Sequence, residues 1–208
     1  MAVSDPRPAP RKLPRQERSR ALYEAILVAA AELLEKHGPG FTLAEVAARA
    51  GVGSGSFYQY FPDRPALIGA LIDRQLAADR AMLDVLRGTP ESEPIDLPEL
   101  LVTGVLKLYG SRPKSMASMV ALLHELGRDG DVAALVEEFC DALAARLARE
   151  QPSSDRAACL DAARGAVYAL LGIVRQAARD TPERLAGDAA FRVRLVAVAR
   201  AALTLGPR

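Results

Sequence analysis

Cysteine, histidine and tryptophan are scarce in this chain: 208 residues carry two Cys, two His and no Trp. Cys140 and Cys159 stand singly within helical patterns, without the paired spacing of a disulfide framework or a zinc site, which fits a reducing compartment. His124-Glu125 with Asp129 and Asp131 groups residue types that ligate metals, but Gly127 and Gly130 interrupt the group at a helix end. There is no HExxH sequence, no phosphate-cradling glycine loop and no Ser/His/Asp or Cys/His arrangement, so neither catalysis nor a metal or other cofactor is expected. No apolar stretch approaches the roughly 18 to 20 residues of a membrane span. The opening MAVSDPRPAPRKLPRQ has no apolar secretory core. A cytoplasmic protein with no membrane partner is expected.

Runs of period-two alternation are missing too, whereas alanine is abundant, so the expected fold class is all-α. Half of the residues are hydrophobic and a quarter charged, ordinary globular composition rather than that of a disordered chain. Nor is there an excess of charge of one sign: the net charge is +1. Its distribution is uneven, with Arg11, Lys12, Arg15, Arg18 and Arg20 opposed by Glu17 alone between residues 11 and 20. Such a stretch either reaches phosphate, through Arg15 and Arg18, or is a solvated tail. The cations comprise 23 Arg and 4 Lys, a bias that suggests GC-rich coding and a bacterial source.

Four prolines and no apolar period make residues 1–14 a flexible arm. Leu22, Ile26, Ala29 and Leu33 then recur at helical spacing, and His37-Gly38-Pro39-Gly40 ends that first helix. Thr42-Leu43-Ala44-Glu45 reads as a capping box that opens a two-turn second helix, stopped at Gly51. Ser54 is placed to cap a short third helix in which Phe57 and Phe61, four apart, pack inward. The spacing is that of a helix-turn-helix. Ser56 and Gln59 are suited to base edges in the major groove, and Gly55 to close backbone approach. A buried helical hairpin with core aromatics is the bland alternative, but it leaves Tyr58 and Gln59 unexplained. A long fourth helix runs from about Arg64 to Arg87, the polar stretch Gly88 to Asp96 follows, and five more helices are delimited at about 97–110, 113–127, 131–150, 154–180 and 188–205.

The segment FTLAEVAARAGVGSGSFYQYFPDRPAL, Phe41 to Leu67, resembles the DNA-binding signature of TetR-family regulators, and the chain is similar to them in length and in its order of nine helices. The specific likeness covers about residues 15 to 75. It rests on Thr42, Ala47, Gly51-Val52, Gly55, Ser56, Phe57-Tyr58, Tyr60-Phe61 and Arg64. Two departures, Gly53 where the family usually has Ser and Ser54 where it often has Lys, lie where the third helix enters the groove, so the bases read do not carry over. The resemblance implies that Tyr58, Tyr60, Arg64 and the Thr42 amide hold phosphates of a double-stranded DNA operator.

It also implies an N-terminal helix-turn-helix domain (residues 15–63) and a helical effector-binding and dimerisation domain (64–208). In such proteins the last two helices of two subunits form a four-helix bundle. Here Ala162, Gly165, Ala169 and Gly172 form a small-residue stripe, to be met by Val193, Val196, Ala197, Arg200 and Ala201; packing within one subunit is the competing reading. For a small-molecule effector the candidates are Met82, Tyr109, Met116, Met119, Phe139, Tyr168 and Arg175, flexible, aromatic or anchoring residues. The expectation is a homodimeric repressor, released from a pseudo-palindromic operator when the fourth helix transmits a change in an effector cavity. The alternative is a DNA-bound regulator that binds another protein and no small effector.

Overall fold

The computed structural model describes residue 10 and residues 17–90, 95–110, 112–151 and 155–204. Among them are nine α-helices and no strand. They are α1 (Glu17–His37), α2 (Leu43–Arg49), α3 (Ser54–Tyr60), α4 (Arg64–Gly88), α5 (Leu97–Gly110), α6 (Pro113–Glu125), α7 (Asp129–Glu150), α8 (Arg156–Asp180) and α9 (Ala189–Leu203). Short 3-10 turns lie at Gly38–Gly40 and Pro182–Ala186.

Local chemistry explains the tight N-terminal corner. The Thr42 side chain accepts from the Glu45 amide at 3.3 Å while the Glu45 carboxylate accepts from the Thr42 amide at 2.7 Å, the reciprocal cap that starts α2. At the other end of α2, Gly51 takes a left-handed φ of +67°. The Gly51 amide donates to the Ala48 carbonyl and the Val52 amide to the Ala47 carbonyl, closing the last turn and burying Val52. Ser54, expected as the cap of α3, is instead its first helical residue; Gly53 is the cap and offers no side-chain bond.

Seven-residue helices do not hold themselves together in water. α3 is fixed by the buried rings of Phe57 and Tyr60, with Phe61 just beyond it. Tyr23 of α1 lies 5.1 Å from Phe61 and 6.0 Å from Tyr60 between ring centroids. That core continues through Leu67, Ile68, Leu71 and Ile72 of α4 into Met119, Leu122 and Leu123 of α6 and Leu135 of α7. A second core joins α5, α7, α8 and α9 around Leu101, Val102, Leu143, Ala163, Ala166, Leu170 and Leu195.

Two buried arginines tie the layers. Another left-handed glycine, Gly127 at φ +63°, turns the chain after α6 and aims Arg128 at α4. The Arg128 guanidinium, 8% exposed, donates to the Gly69 carbonyl at 3.1 Å and pairs with Asp73 at 2.7 Å and Asp131 at 2.6 Å. Arg146 donates to the Pro90 carbonyl at 3.1 Å, holding the end of α4 against α7. α8 corrects one expectation: by length and composition it is apolar enough to cross a membrane, with a mean hydropathy of 1.5 over 18 residues. Asp161 and Arg164 break the run in the sequence but do not lower the average enough. Its Cys159, Ala163, Ala166, Val167, Leu170 and Val174 face the protein core instead.

The turn after α2 can be tested directly. A Cβ at Gly51 meets no atom within 4 Å, so Gly51→Ala costs backbone strain alone, about 1 kcal/mol, and Gly51→Asn costs less because Asn tolerates the left-handed region. Urea unfolding of the full chain measures both; equal stabilities for Gly51→Ala and the unchanged chain would contradict the turn geometry.

Candidate DNA-reading face and ligand cavity

α3 has two faces set by its burial pattern. Phe57 and Tyr60 point into the core, and Ser54, Gly55, Ser56, Tyr58 and Gln59 lie exposed. Tyr58 is 46% exposed, with its ring edge-on to Phe57 at 5.6 Å between centroids. The face therefore offers two serine hydroxyls, a phenol and an amide, without formal charge. Hydroxyls and amides both donate and accept, the property needed to meet base edges and phosphates.

Three expected phosphate contacts are placed otherwise. Tyr60, three residues after Phe57, falls on the same buried face and is 6% exposed. Arg64 is half-buried: its guanidinium donates to the Pro39 carbonyl, lies 5.6 Å from the centre of the Phe41 ring and pairs with Glu125 at 3.5 Å. It braces the start of α4 against the preceding turn and the end of α6. The Thr42 amide is already taken by the Glu45 carboxylate. That bond, followed by the one from the Thr42 hydroxyl, holds the Glu45 carboxyl below its usual range. Arg18 is exposed near the start of α1. Arg15 lies outside the described residues.

The second feature is a cavity of about 120 Å³ lined by α4, α5, α6, α7 and α8. Of the expected effector residues, Tyr109, Met116, Met119, Phe139 and Arg175 line it. Tyr168 does not: it is 52% exposed on the outer side of α8, where its hydroxyl donates to Glu137 at 2.7 Å. The spacing that puts Val167, Leu170 and Leu171 on the cavity turns Tyr168 away. The side chain of Met82 lies outside the described residues. Leucines and valines complete most of the wall, including Leu76, Leu101, Val105, Leu108, Val120, Leu123, Val132 and Val136. Two polar groups on α4 also line it, Gln75 and Asp79, joined by a hydrogen bond from the Gln75 amide to the Asp79 carboxylate at 2.8 Å. Burial pushes the Asp79 carboxyl above its usual range, against the opposing effect of that bond. The i, i+4 spacing of Gln75 and Asp79 is readable in the sequence, but an exposed helix face shows the same spacing.

A link from the cavity wall to the N-terminal corner was not anticipated from the sequence. Glu35 of α1 caps α6: its carboxylate accepts from the Ser115 amide at 2.6 Å and the Lys114 amide at 3.4 Å. Carboxylates are favoured at helix N-termini because the first amides are unpaired there.

Gly165, Gly172, Val193, Ala197 and Ala201 are exposed, and Ala162 and Ala169 half-buried. Val193 is 67% exposed and Ile173 36%. The two glycines of the stripe thus lie outside the core. Cys140 is buried, its thiol pushed up to about 11 chiefly by that burial, which makes it a poor nucleophile.

Residues 26–71 match the sequence model of the bacterial regulatory proteins of the tetR family. No curated protein matches the chain. Solved structures that share its fold include three described as transcriptional regulators. A TetR-family protein of Mesorhizobium loti is 19% identical with a TM-score of 0.62, over 91% of this chain and 98% of that one. A transcriptional regulator of Aquifex aeolicus, described as of the TerR/AcrR family, is 19% identical at 0.58, over 86% and 98%. A TetR-family transcriptional regulator of Haemophilus influenzae is 16% identical at 0.57, over 91% and 98%.

The buried carboxyl yields a pH prediction. Because the Asp79 pKa is raised in the folded protein, the native state binds more protons than the unfolded chain at pH between the unfolded and folded values. Its effect on stability is thus absent below the unfolded value and becomes destabilising as pH rises through the folded one. Asp79→Asn keeps the bond from Gln75 and removes the charge. Thermal melting should find the variant more stable than the unchanged chain at pH 7 and the two alike near pH 3; a less stable variant at pH 7 would show that the carboxylate has an unrecognised favourable partner.

Proposed function

We propose that this TetR-family transcriptional regulator, identified by the match of residues 26–71 and by the fold it shares, is a homodimeric cytoplasmic repressor of bacterial origin. Residues 15–63 are its DNA-binding domain and 64–208 its effector-binding and dimerisation domain; the arm expected over residues 1–14 lies, residue 10 apart, outside the described residues. It has no enzymatic activity in this reading. A small molecule in the cavity releases it from a pseudo-palindromic DNA operator.

The observation that carries the DNA-binding part is the uncharged polar face of α3, exposed while the aromatic side of the same helix is locked into the core. Ser56 and Gln59 read base edges, Tyr58 grips phosphate, and Gly55 allows backbone approach. Ser54 and Thr42 stand at the starts of α3 and α2, and the basic residues Arg15 and Arg18 reach flanking phosphate. Release has a physical route along two helices. α4 carries Leu76 and Asp79 on the cavity wall, and α6 carries Met116 and Met119 there while its first turn is capped by Glu35 of α1. A ligand that spreads α4 and α6 therefore moves both helices that carry α2 and α3.

Dimerisation is supported by the small and apolar side chains left exposed along α8 and α9, with Gly165 and Gly172 permitting close helix approach. One α3 contacts too few base pairs for useful specificity, and two related by a two-fold axis double the site.

Mobility shifts on DNA upstream of the gene test the reading. Tyr58→Ala should weaken specific and random DNA alike. Gln59→Ala should lower discrimination by about 1–3 kcal/mol per site. Tyr58→Ala with unchanged affinity at equal salt would remove the phosphate assignment. For the dimer, Gly172→Arg or Ala169→Arg should give helical monomers by sedimentation and circular dichroism, with operator binding lost far more than random binding. Dimers that survive both substitutions would place the seam elsewhere.

A further inference from the structure

Resting on the effector reading above, we infer that the cavity takes a small apolar carboxylic acid, its body among the hydrocarbon side chains and its carboxylate on Arg175 and Tyr109. The inference begins with a guanidinium that has no ion-pair partner. Arg175 lines the cavity from the C-terminal third of α8, half-buried, and its Nε donates to the Tyr109 hydroxyl at 3.1 Å. The other half-buried arginines of α8, α9 and the turn between them meet carboxylates: Arg164 pairs with Glu137 at 2.6 Å, Arg192 with Glu99 at 2.6 Å and Arg184 with Asp188 at 3.2 Å. Among the described residues no carboxylate forms an ion pair with Arg175. A guanidinium does not lose its proton in a protein, so the charge persists at the edge of an apolar chamber.

The hydrogen-bond count points the same way. Tyr109 is 2% exposed, and its oxygen already accepts from Arg175, which leaves its own proton to donate. The terminal nitrogens of Arg175 are donors as well. Donors from two helices meet at this end of the cavity, and an acceptor that carries negative charge suits them best, since charge-assisted bonds are the strong ones and a carboxylate fits the guanidinium fork in a bidentate manner. The acid at the α4 side, Asp79, already accepts from Gln75. An amine would gain Asp79 but bring a like charge into the chamber that holds Arg175.

Size limits the body of the ligand. The volume of about 120 Å³ is near that of an apolar protein cavity, roughly 150 Å³, able to hold one benzene ring. One aromatic ring or a short alkyl chain therefore fills the space beside Met116 and Phe139, side chains able to adjust to either.

The test titrates the DNA-free full-length protein calorimetrically with benzoate and octanoate, their neutral amides benzamide and octanamide, and the cations benzylamine and octylamine. The acids should bind about ten- to a hundred-fold more tightly than the amides, the factor that hydrogen bonds to a charged group carry. Arg175→Met should bring the acids down to the affinity of the amides. Tyr109→Phe, which keeps the buried ring and so guards against a folding artefact, should weaken the acids about three- to ten-fold. Amides equal to acids on the unchanged protein, amines tightest with their binding abolished in Asp79→Asn, or no acid bound at all would each overturn the inference. A parallel mobility shift separates it from the effector reading. Acids that bind through Arg175 without releasing DNA support the carboxylate site and refute effector release, whereas release by an amine alone supports effector release and refutes the carboxylate site.

Discussion

Packing of the α3 aromatics against α1 is the constraint on which the rest of the molecule depends. α2 and α3 have seven residues each, too short to be stable alone. Their orientation comes from Phe57, Tyr60 and Phe61 meeting Tyr23, and from Val52 plugging the turn. Because the buried side of α3 is wholly aromatic, the opposite side is free to be wholly polar. The same core extends through α4 into α6, so the geometry of the polar face is coupled to the helices that wall the cavity.

Polar ties reinforce that coupling at three places. Glu35 of α1 satisfies the first amides of α6, Arg64 joins the start of α4 to the end of α6, and Arg128 fastens the turn before α7 to a carbonyl within α4. Each joins groups that would otherwise face loss of hydration without a partner: unpaired helix amides, or a guanidinium that is mostly buried. They leave little freedom for α6 to shift without α1 and α4 responding. The cavity lies directly against these helices, with apolar walls that adapt and polar groups confined to two points, Asp79 with Gln75 and Arg175 with Tyr109.

Helix existence and order were legible in the sequence because their causes are local. The capping box at Thr42, the stops at Gly51 and Gly127 and the apolar spacing along α1, α4 and α8 act within a few residues, and the observed helices follow them to within two or three residues at most ends. Met116, Met119, Phe139, Tyr109 and Arg175 as cavity residues were readable from type, since flexible and aromatic side chains in the middle helices tend to share interior space. The Glu35 cap on α6 was not readable: its partner lies 80 residues away, and nothing near Glu35 distinguishes it from any glutamate on a helix.

By itself, then, the sequence determined the all-helical state, the tight turns at Gly51 and Gly127 and the polar composition of the third helix, because dihedral preference, capping and periodicity are settled between close neighbours. Only the tertiary structure decided which of the chemically suitable residues are available. Tyr60 is spent on the core, Arg64 on a carbonyl and a glutamate, and Tyr168 on Glu137 at the surface, while Arg175 faces the cavity bonded to the Tyr109 hydroxyl and to no carboxylate. Availability depends on what stands opposite a side chain, and here those partners come from helices far apart in the chain, brought together only when the two cores close.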